Sequence, residues 1–324
     1  MPASGRRGLL HPLPVVVRAL ALAALATAAC NAVLGLDPVG RGDGGGPAVD
    51  GAVDASCVGD LDCDGFADDI DDCPTVANPD QHDEDADTRG DACDNCPARA
   101  NLDQADTTEV AAGASADGVG DVCDPHPTTG DRLVAFYAMA ADDGQWQFTD
   151  TNTSFAGDAL VFSGVGTGKR VAFHPAPRDA SEQVHVVAGV LIETIGVADG
   201  GDPDRGVGLH LAAGAADVAG RRCNWLAPVT GLGSPTLAAT DAAGLTIASV
   251  GTEPMVEGAT VVIQGHQRRG AAQAATRCWV KSSSWASEHD TASPSGGLLT
   301  TGAFGVVDYR LAMRVLWIAY FDET

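Results

Sequence analysis

Basic residues are scarce in this chain of 324 residues, which holds 19 lysines and arginines against 44 aspartates and glutamates and has a formal net charge of −25. Proteins bind phosphate backbones through basic patches, so the composition argues against a nucleic-acid partner. The deficit is concentrated in residues 37–131, where Arg41, Arg89 and Arg99 are the only lysines or arginines. A strongly acidic stretch, residues 37–131, therefore separates an N-terminal part of the chain from a C-terminal part.

Long hydrophobic runs are lacking too. The run "ALALAALATAA", from Ala19 to Ala29, is too short to span a bilayer as a mature helix. The arginines before it and the small residues at its end predict an export signal over residues 1–29. Its end, "LATAAC", resembles a bacterial lipoprotein signal, which implies a lipidated Cys30, a membrane anchor and, because Asn31 follows, the outer membrane or cell surface. An ordinary signal peptide, cut after a small residue, is the alternative.

The cysteines and the composition after Cys30 bear on the same question. Nine cysteines are an odd number, and a free thiol is a liability in an exported protein. Lipidation of Cys30 would leave an even number that can pair in an oxidising compartment. Residues 30–56 are rich in glycine, aspartate, alanine and proline and contain few large apolar side chains. Such a composition cannot form a core and predicts a flexible tether.

The stretch "CVGDLDCDGFADDIDDC", residues 57–73, places three aspartates in alternation before Gly65. This D-x-D-x-D-G pattern is the first half of an EF-hand calcium loop, in which alternate carboxylates converge on one ion and the glycine allows a sharp turn. An EF-hand would need a glutamate at the twelfth position, where Asp71 stands, and a helix on either side. The flanks are rich in glycine and proline, so we exclude an EF-hand and expect a calcium loop of another kind.

The stretch "DDCPTVANPDQHDEDADTRGDACDNCP", residues 71–97, resembles a thrombospondin type 3 repeat, whose pattern is D-x-C-P-x-x-x-N-P-x-Q-x-D-x-D-x-D-x-x-G-D-x-C-D. A further repeat begins at "DNCPARANLDQAD" and closes with "ADGVGDVCD", but "TTEVAAGASA" stands between Asp106 and Asp117 in place of a much shorter link. The middle aspartates of that repeat are missing, which leaves calcium binding there open. The resemblance covers residues 57–127 and implies an irregular chain that wraps around calcium ions and is pinned by disulfides.

Ca²⁺ is the cofactor that this resemblance implies, with aspartates as ligands. The sequential pairing of the family implies the disulfides Cys73–Cys93 and Cys96–Cys123, and Cys57 would then pair with Cys63. Two simpler interpretations stay open, a disordered acidic linker and calcium that only stiffens a stalk. The carboxylates implied as ligands are Asp60, Asp62, Asp64, Asp68, Asp71, Asp83, Asp85, Asp87, Asp91, Asp94, Asp106, Asp117, Asp121 and Asp124.

Residues 131–324 predict an antiparallel β-sandwich. Short runs such as "LVAFYAM" and "TVVIQGHQ" recur along this part, with glycine, proline, aspartate and asparagine between them. The order of features from "YAMAADDGQWQF" to "GAFGVVDYRLAMRVLWIAYFD" resembles the concanavalin A-like, laminin G-like jelly roll. Cys223 and Cys278 lie in strand-like runs and are expected to bridge neighbouring strands. The fold class expected is mainly β, an irregular calcium-wrapped, disulfide-rich segment followed by a jelly roll.

Jelly rolls of this type often bind glycans, for which exposed aromatic and amide side chains are suited. Trp285 lies in the polar stretch "KSSSWASEHD" and is the expected ligand contact, whereas Trp225 and Trp279 stand in strand-like runs beside cysteines and are expected in the core. Glycoside hydrolysis would need paired carboxylates. The glycoside hydrolases of this fold carry E-x-D-x-x-E, and "EHDTAS" offers Glu288 and Asp290 but serine at the third acidic position.

We therefore expect no catalytic activity, because the sequence also lacks H-E-x-x-H, G-x-S-x-G and a glycine-rich phosphate loop. The expected function is that of a surface-anchored calcium-binding lipoprotein whose sandwich head recognises a glycan or matrix ligand in adhesion. One alternative is a carbohydrate-active enzyme with two facing carboxylates in a cleft. The other is a structural envelope protein without an exposed aromatic patch or groove.

Overall fold

The structure describes most of the chain from Cys57 onward. The predicted export signal, Cys30 and the tether over residues 30–56 lie outside the described residues. Val53–Thr324 form one compact unit, and none of the helices in the described part of the chain is both long and apolar enough to span a membrane. The computed structural model describes residues 57–177, 183–197, 205–213, 220–227, 234–240, 246–269, 274–285, 289–295 and 302–323.

Two antiparallel sheets pack face to face and confirm the mainly β, jelly-roll class. In spatial order, sheet 1 consists of β13 (His289–Ser295), β12 (Ala274–Ser282), β11 (Thr260–Arg269), β6 (Val184–Ile195), β15 (Leu311–Glu323), β4 (Leu160–Phe162) and β3 (Thr153–Phe155), with β1 (Asp131–Tyr137) also paired to β15. Sheet 2 consists of β10 (Thr246–Gly251), β9 (Thr236–Thr240), β8 (Gly220–Ala227), β7 (Arg205–Ala213), β14 (Ala303–Tyr309), β5 (Lys169–Pro175) and β2 (Gln147–Phe148).

The core lies between the sheets and is built from alternate residues of each strand. On β6, Val186, Ala188, Val190 and Ile192 are fully buried in it, since successive side chains of a strand point to opposite faces. Each buried valine or isoleucine contributes about 1.5–3 kcal/mol to the free energy of unfolding. The long closing run turns between β14 and β15 at Arg310, whose φ is 59°, so its two halves lie in opposite sheets.

The Cys223–Cys278 disulfide joins the two sheets. Cys223 lies on β8 of sheet 2 and Cys278 on β12 of sheet 1, and both are fully buried in the core. The expectation that they bridge neighbouring strands is wrong, because both side chains point inward and meet across the sandwich. The disulfide therefore staples the layers together.

Three strands were not expected from the sequence: β3, β9 and β13. The residues around "EHDTAS" have a loop-like composition, yet β13 forms there because it pairs along the edge of β12, with Trp279 opposite Asp290. Edge strands need only one partner and one apolar face, so their composition is a weak signal.

The acidic segment, residues 57–130, has little regular structure. Its only helix within the described residues is α1 (Thr108–Ala112), which lies in the inserted stretch. The structure forms the three disulfides that the repeat resemblance implies, Cys57–Cys63, Cys73–Cys93 and Cys96–Cys123. With few apolar side chains, such a segment depends on crosslinks and other local ties for its shape.

The end of the acidic segment packs on the outer face of sheet 1. Val119, only 1% exposed, forms a second hydrophobic cluster with Trp317, Ala319 and Phe321 of β15. Gly189 of β6 makes room for the indole of Trp317, because a Cβ there would overlap the ring. The sequence predicts a head carried on a separate stalk. That prediction is wrong for this part of the segment, because it packs on the outer face of sheet 1.

Candidate functional site

Three groups of acidic side chains converge in the acidic segment. In each group one ligand atom per residue lies within 4.8 Å of those of the others. Two carboxylates at this distance repel each other by about 3 kcal/mol at an effective dielectric constant of 20, so each group favours a cation or a proton. The groups are cluster 1 (Asp60, Asp62 and Asp64), cluster 2 (Asp83, Asp85 and Asp87) and cluster 3 (Asp106, Glu109 and Asp117).

The first aspartate of every cluster is held by the same kind of hydrogen bond. Its Oδ2 accepts the backbone amide of the residue that follows the third aspartate. This bond closes the loop around the carboxylates and orients the first aspartate inward. The three bonds are Gly65–Asp60 (3.0 Å), Thr88–Asp83 (2.9 Å) and Gly118–Asp106 (2.8 Å).

The third aspartate of every cluster links its loop to the chain that follows. Its Oδ1 accepts the amide two residues on, and its Oδ2 accepts an amide of the next unit. In clusters 1 and 2 the next unit contributes Asn78 and Asn101, while in cluster 3 it contributes Asp131, the first residue of β1. The sandwich thus begins where another repeat would begin.

A fourth aspartate stands near each cluster: Asp71, Asp94 and Asp124. The Oδ1 of each accepts the amide two residues on, at 2.8, 2.7 and 2.6 Å. The Oδ2 of each is buried without a hydrogen-bond partner among the described residues. An unpartnered buried carboxylate oxygen is costly, and its recurrence at equivalent positions indicates a shared role.

These oxygens fit a calcium ion. Both oxygens of Asp62, Oδ2 of Asp85 and Oδ1 of Asp106 are also buried without a partner in the described structure. Calcium takes six to eight oxygen ligands at about 2.3–2.6 Å, so ligands on opposite sides of the ion lie about 5 Å apart. Ligand atoms that all lie within 4.8 Å of one another can therefore share one ion. All the donors are hard carboxylate oxygens, which suit calcium better than zinc or copper.

Three of the predicted ligands lie outside the clusters and hold loops instead. Asp68 accepts the Leu61 amide at 2.7 Å. Asp91 is bound to the His82 ring and the Glu84 amide. Asp121 accepts the amides and hydroxyls of Thr107 and Thr108, and these bonds lower its pKa to about 2.

Glu109 was not anticipated from the sequence. It lies in α1 and is completely buried, and both its carboxylate oxygens lack a hydrogen-bond partner among the described residues. The Asp124 carboxyl lies close enough to share a proton with it, and this interaction, followed by burial, raises the pKa of Glu109. No motif marks it, because it belongs to the stretch where the repeat pattern is interrupted. A buried glutamate in a polar surface segment is detectable only in the folded structure.

Burial and neighbouring carboxylates disfavour ionisation in the clusters when no cation is present. Burial, and then the charge of Asp87, raises the pKa of Asp85 to about 6. Burial likewise raises the pKa of Asp62, Asp94 and Asp106. A divalent cation reverses this preference because it stabilises the charged form.

A groove of about 260 Å³ lies between the acidic segment and the outer face of sheet 1. Pro97 and Arg99 of the acidic segment form one wall, and Gln264, Trp279 and Lys281 of β11 and β12 contribute to the other. The volume is close to the lower end for small-ligand sites, which combine apolar walls with a few polar groups. Because one wall comes from the acidic segment, the groove exists only while that segment is docked on sheet 1.

Trp279 was expected in the core but lies outside it, and Trp285 is half-buried like Trp279. Trp279 is half-buried on the outer face of sheet 1, where the guanidinium of Arg277 lies 4.6 Å from its ring centroid. Trp285 packs edge-on against Trp225 at 5.1 Å and donates to the carbonyl of Pro254. Trp225 is fully buried in the core, as expected. Trp279 is thus a partly exposed aromatic side chain of the groove, and Trp285 packs against the core.

Three carboxylates bear on the alternative of glycoside hydrolysis: Glu193, Glu288 and Asp290. Glu193 lies on the surface and accepts a hydrogen bond from Arg314 at 2.8 Å. Glu288 lies outside the described residues, and Asp290 lies on β13.

Comparisons with known proteins concern the fold. No protein-family model matches the sequence, and no curated protein resembles it significantly. Among solved structures, peanut lectin with a 9mer peptide is 10% identical with a TM-score of 0.43, the match covering 60% of this chain and 97% of the lectin. Lectin II from Ulex europaeus is 10% identical with a TM-score of 0.45, the match covering 58% and 97%. The exoplasmic/lumenal domain of VIP36, in a form bound to Ca²⁺ and Man3GlcNAc, is 9% identical with a TM-score of 0.40, the match covering 56% and 84%.

Proposed function

We propose that this protein is a calcium-dependent recognition protein that acts without catalysis. Calcium bound in the acidic segment holds that segment on sheet 1, and the groove between them takes a glycan of the cell surface or matrix. The observation that carries the proposal is that the groove has one wall from each part, Pro97 and Arg99 from one and Trp279 from the other.

Calcium is supported by the three clusters and their repeated hydrogen bonds. The buried, unpartnered oxygens of Asp62, Asp71 and Asp85 are best explained by an ion that needs them. Together with the repeat resemblance around the Cys-Pro and Asn-Pro dipeptides, this favours a row of calcium ions over a disordered linker. The ions serve structure first, since weak calcium sites stay filled outside the cell.

A glycan is supported by the chemistry of the groove. An indole such as that of Trp279 offers a flat apolar face, while the amide of Gln264 can both donate and accept hydrogen bonds. Lys281 and Arg99 add positive charge in a strongly acidic protein, so glycans with carboxylate or sulfate groups are favoured. A structural envelope protein would have no use for such a groove.

A glycan-binding screen of the exported chain, with and without calcium, tests the proposal. We expect binding that is lost on chelation and reduced at least tenfold in Trp279→Ala, while Trp285→Phe, altered in a packing residue, retains it. Binding that is equal in Trp279→Ala and the wild type would contradict the groove. An absence of glycan binding in all conditions would favour the structural envelope protein instead.

We further propose export and lipid anchoring at Cys30, in the outer membrane or on the cell surface. Every cysteine among the described residues is in a disulfide, which suits an oxidising compartment and leaves Cys30 for the lipid. Membrane fractionation of cells that express the wild type or Cys30→Ser checks this. We expect the variant to leave the membrane fraction, and retention of the variant there would contradict lipid anchoring.

A further inference from the structure

The interruption in the repeat pattern is filled by a short helix. In clusters 1 and 2 the third aspartate stands four positions after the first, whereas Asp117 stands eleven positions after Asp106. Asp106 and Asp117 nevertheless keep the hydrogen bonds of their counterparts, with Gly118 and Asp131 as donors. The first and third aspartates of the site therefore keep their places on either side of the insertion, and only the middle aspartate is missing.

Helix α1 is tied down next to this frame. Asp121 accepts hydrogen bonds from the amides and hydroxyls of Thr107 and Thr108 at 2.7–3.0 Å. At the other end Gly113 adopts a left-handed φ of 91°, which glycine allows at no steric cost, and ends the helix. The bonds fix the orientation of α1, so the direction of the Glu109 side chain is set by the fold.

Glu109 points from α1 into cluster 3. Its carboxylate lies within 4.8 Å of ligand atoms of Asp106 and Asp117. It is 0% exposed, and neither oxygen has a hydrogen-bond partner among the described residues. A fully buried carboxylate without a donor, facing two other carboxylates, is strongly unfavourable unless a cation lies between them or a proton is shared among them.

We propose that Glu109 completes a third calcium site, taking the place that Asp62 and Asp85 hold in clusters 1 and 2. This inference rests on the proposed calcium binding and goes beyond it, because the repeat pattern supplies no ligand at this position. Asp124, the counterpart of Asp71 and Asp94, has its buried Oδ2 available to the same ion. Four carboxylates then surround each ion in the acidic segment.

The third site also ties the acidic segment to the sandwich. Asp117 accepts the amide of Asp131 at the start of β1, and Val119, two residues after Asp117, packs on Trp317. An ion that fixes Asp117 therefore fixes the joint between the two parts. The insertion therefore places the proposed ligand Glu109 next to the contact between the acidic segment and the sandwich.

The number of calcium ions bound per chain, measured by native mass spectrometry of the full exported chain, tests the inference. We expect three ions in the wild type and two in Glu109→Gln, which keeps the size of the side chain and removes its charge. Asp85→Asn should also bind two, through loss of cluster 2. Glu84→Gln is the matched control, a half-buried glutamate of the same segment outside the clusters, and should bind three.

Two ions in both the wild type and Glu109→Gln would overturn the third site and leave the proposed calcium binding standing. Three ions in Glu109→Gln would equally overturn it. Loss of all ions in Glu109→Gln would show that Glu109 maintains the segment as a whole and is no ligand of one ion. A wild type that binds none would overturn the proposed function itself.

Discussion

The backbone amide of Asp131 donates a hydrogen bond to the carboxylate of Asp117. Asp131 is the first residue of the sandwich and Asp117 is the third aspartate of cluster 3, so one bond joins the two parts of the protein. The same bond in the preceding loops joins one repeat to the next. The sandwich is therefore attached as if it were a further repeat, and the state of the acidic segment should affect the sandwich.

Removal of calcium should destabilise the acidic segment first. Without ions the carboxylates of each cluster repel each other, and every bound ion present at 100 times its dissociation constant adds about 2.7 kcal/mol to the free energy of unfolding. We expect a chelator to expose residues 57–124 to protease, as mapped by mass spectrometry of the fragments. Unchanged protection, with the same chelator active on a known calcium protein, would contradict structural calcium.

Docking of the acidic segment depends on Val119. Val119→Asp should weaken the packing on Trp317 and Phe321 by about 3 kcal/mol, because it replaces a buried apolar contact with an unpaired charge. The fluorescence of Trp317, taken as the difference from a Trp317→Phe background, should shift to longer wavelength. Val122→Asp is the matched control, since Val122 is 40% exposed. Equal shifts in both variants would show that Val119 contributes no more to the docking than Val122 does.

The inter-sheet disulfide should be a major source of stability. The Cys223–Cys278 bridge closes a loop of 55 residues, for which chain entropy predicts a contribution of about 4 kcal/mol. The Cys57–Cys63 bridge spans only 6 residues and should contribute about 2 kcal/mol. Urea unfolding of the two double-alanine variants compares them. If the Cys223–Cys278 variant loses less free energy of unfolding than the Cys57–Cys63 variant, the inter-sheet disulfide is not a major source of stability.

A buried ion pair at one end of the sandwich should be sensitive to the loss of its acid. Nε of Arg170 lies 2.6 Å from Oδ2 of Asp308, and both side chains are buried. Asp308→Asn should cost about 3–5 kcal/mol, because it removes the nearest counter-ion of the buried guanidinium and leaves only the more distant Asp150. Asp150, 3.8 Å from the same guanidinium and more exposed, is the control, and Asp150→Asn should cost less than about 1 kcal/mol. Thermal unfolding of both variants measures the difference.

Much of the acidic segment could be predicted because its information is local. Alternate aspartates and the Cys-Pro and Asn-Pro dipeptides stand at short, regular spacings that resemble a known repeat, and that resemblance implied the cysteine pairs and most of the clustered carboxylates. Asp68, Asp91 and Asp121 also fit that register, yet backbone amides and hydroxyls occupy them. A carboxylate that closes a loop and one that faces an ion look the same in the sequence.

Trp225 was correctly expected in the core, but the place of Trp279 was not predicted, because the acidic segment covers part of the outer face of sheet 1. Where one face meets solvent, polar and apolar residues alternate and reveal the inner side. Here the outer face carries Val187, Val262 and Trp317 under the acidic segment, so the alternation is blurred. Trp279 was expected in the core because it stands beside Cys278 in a strand-like run, but adjacent residues of a strand point to opposite faces.

The sequence by itself determined the mainly β class and the acidic loops, since these depend on residue type and short spacing, and its resemblance to a known repeat implied the cysteine pairs within those loops. Only the tertiary structure decided that Cys223 and Cys278 cross between the sheets, that the acidic segment docks on sheet 1, and that Glu109 faces cluster 3. These three features join residues that are distant in the chain or lie in an insertion without a pattern. Burial, which forces such residues to find partners, acts only once the chain is folded.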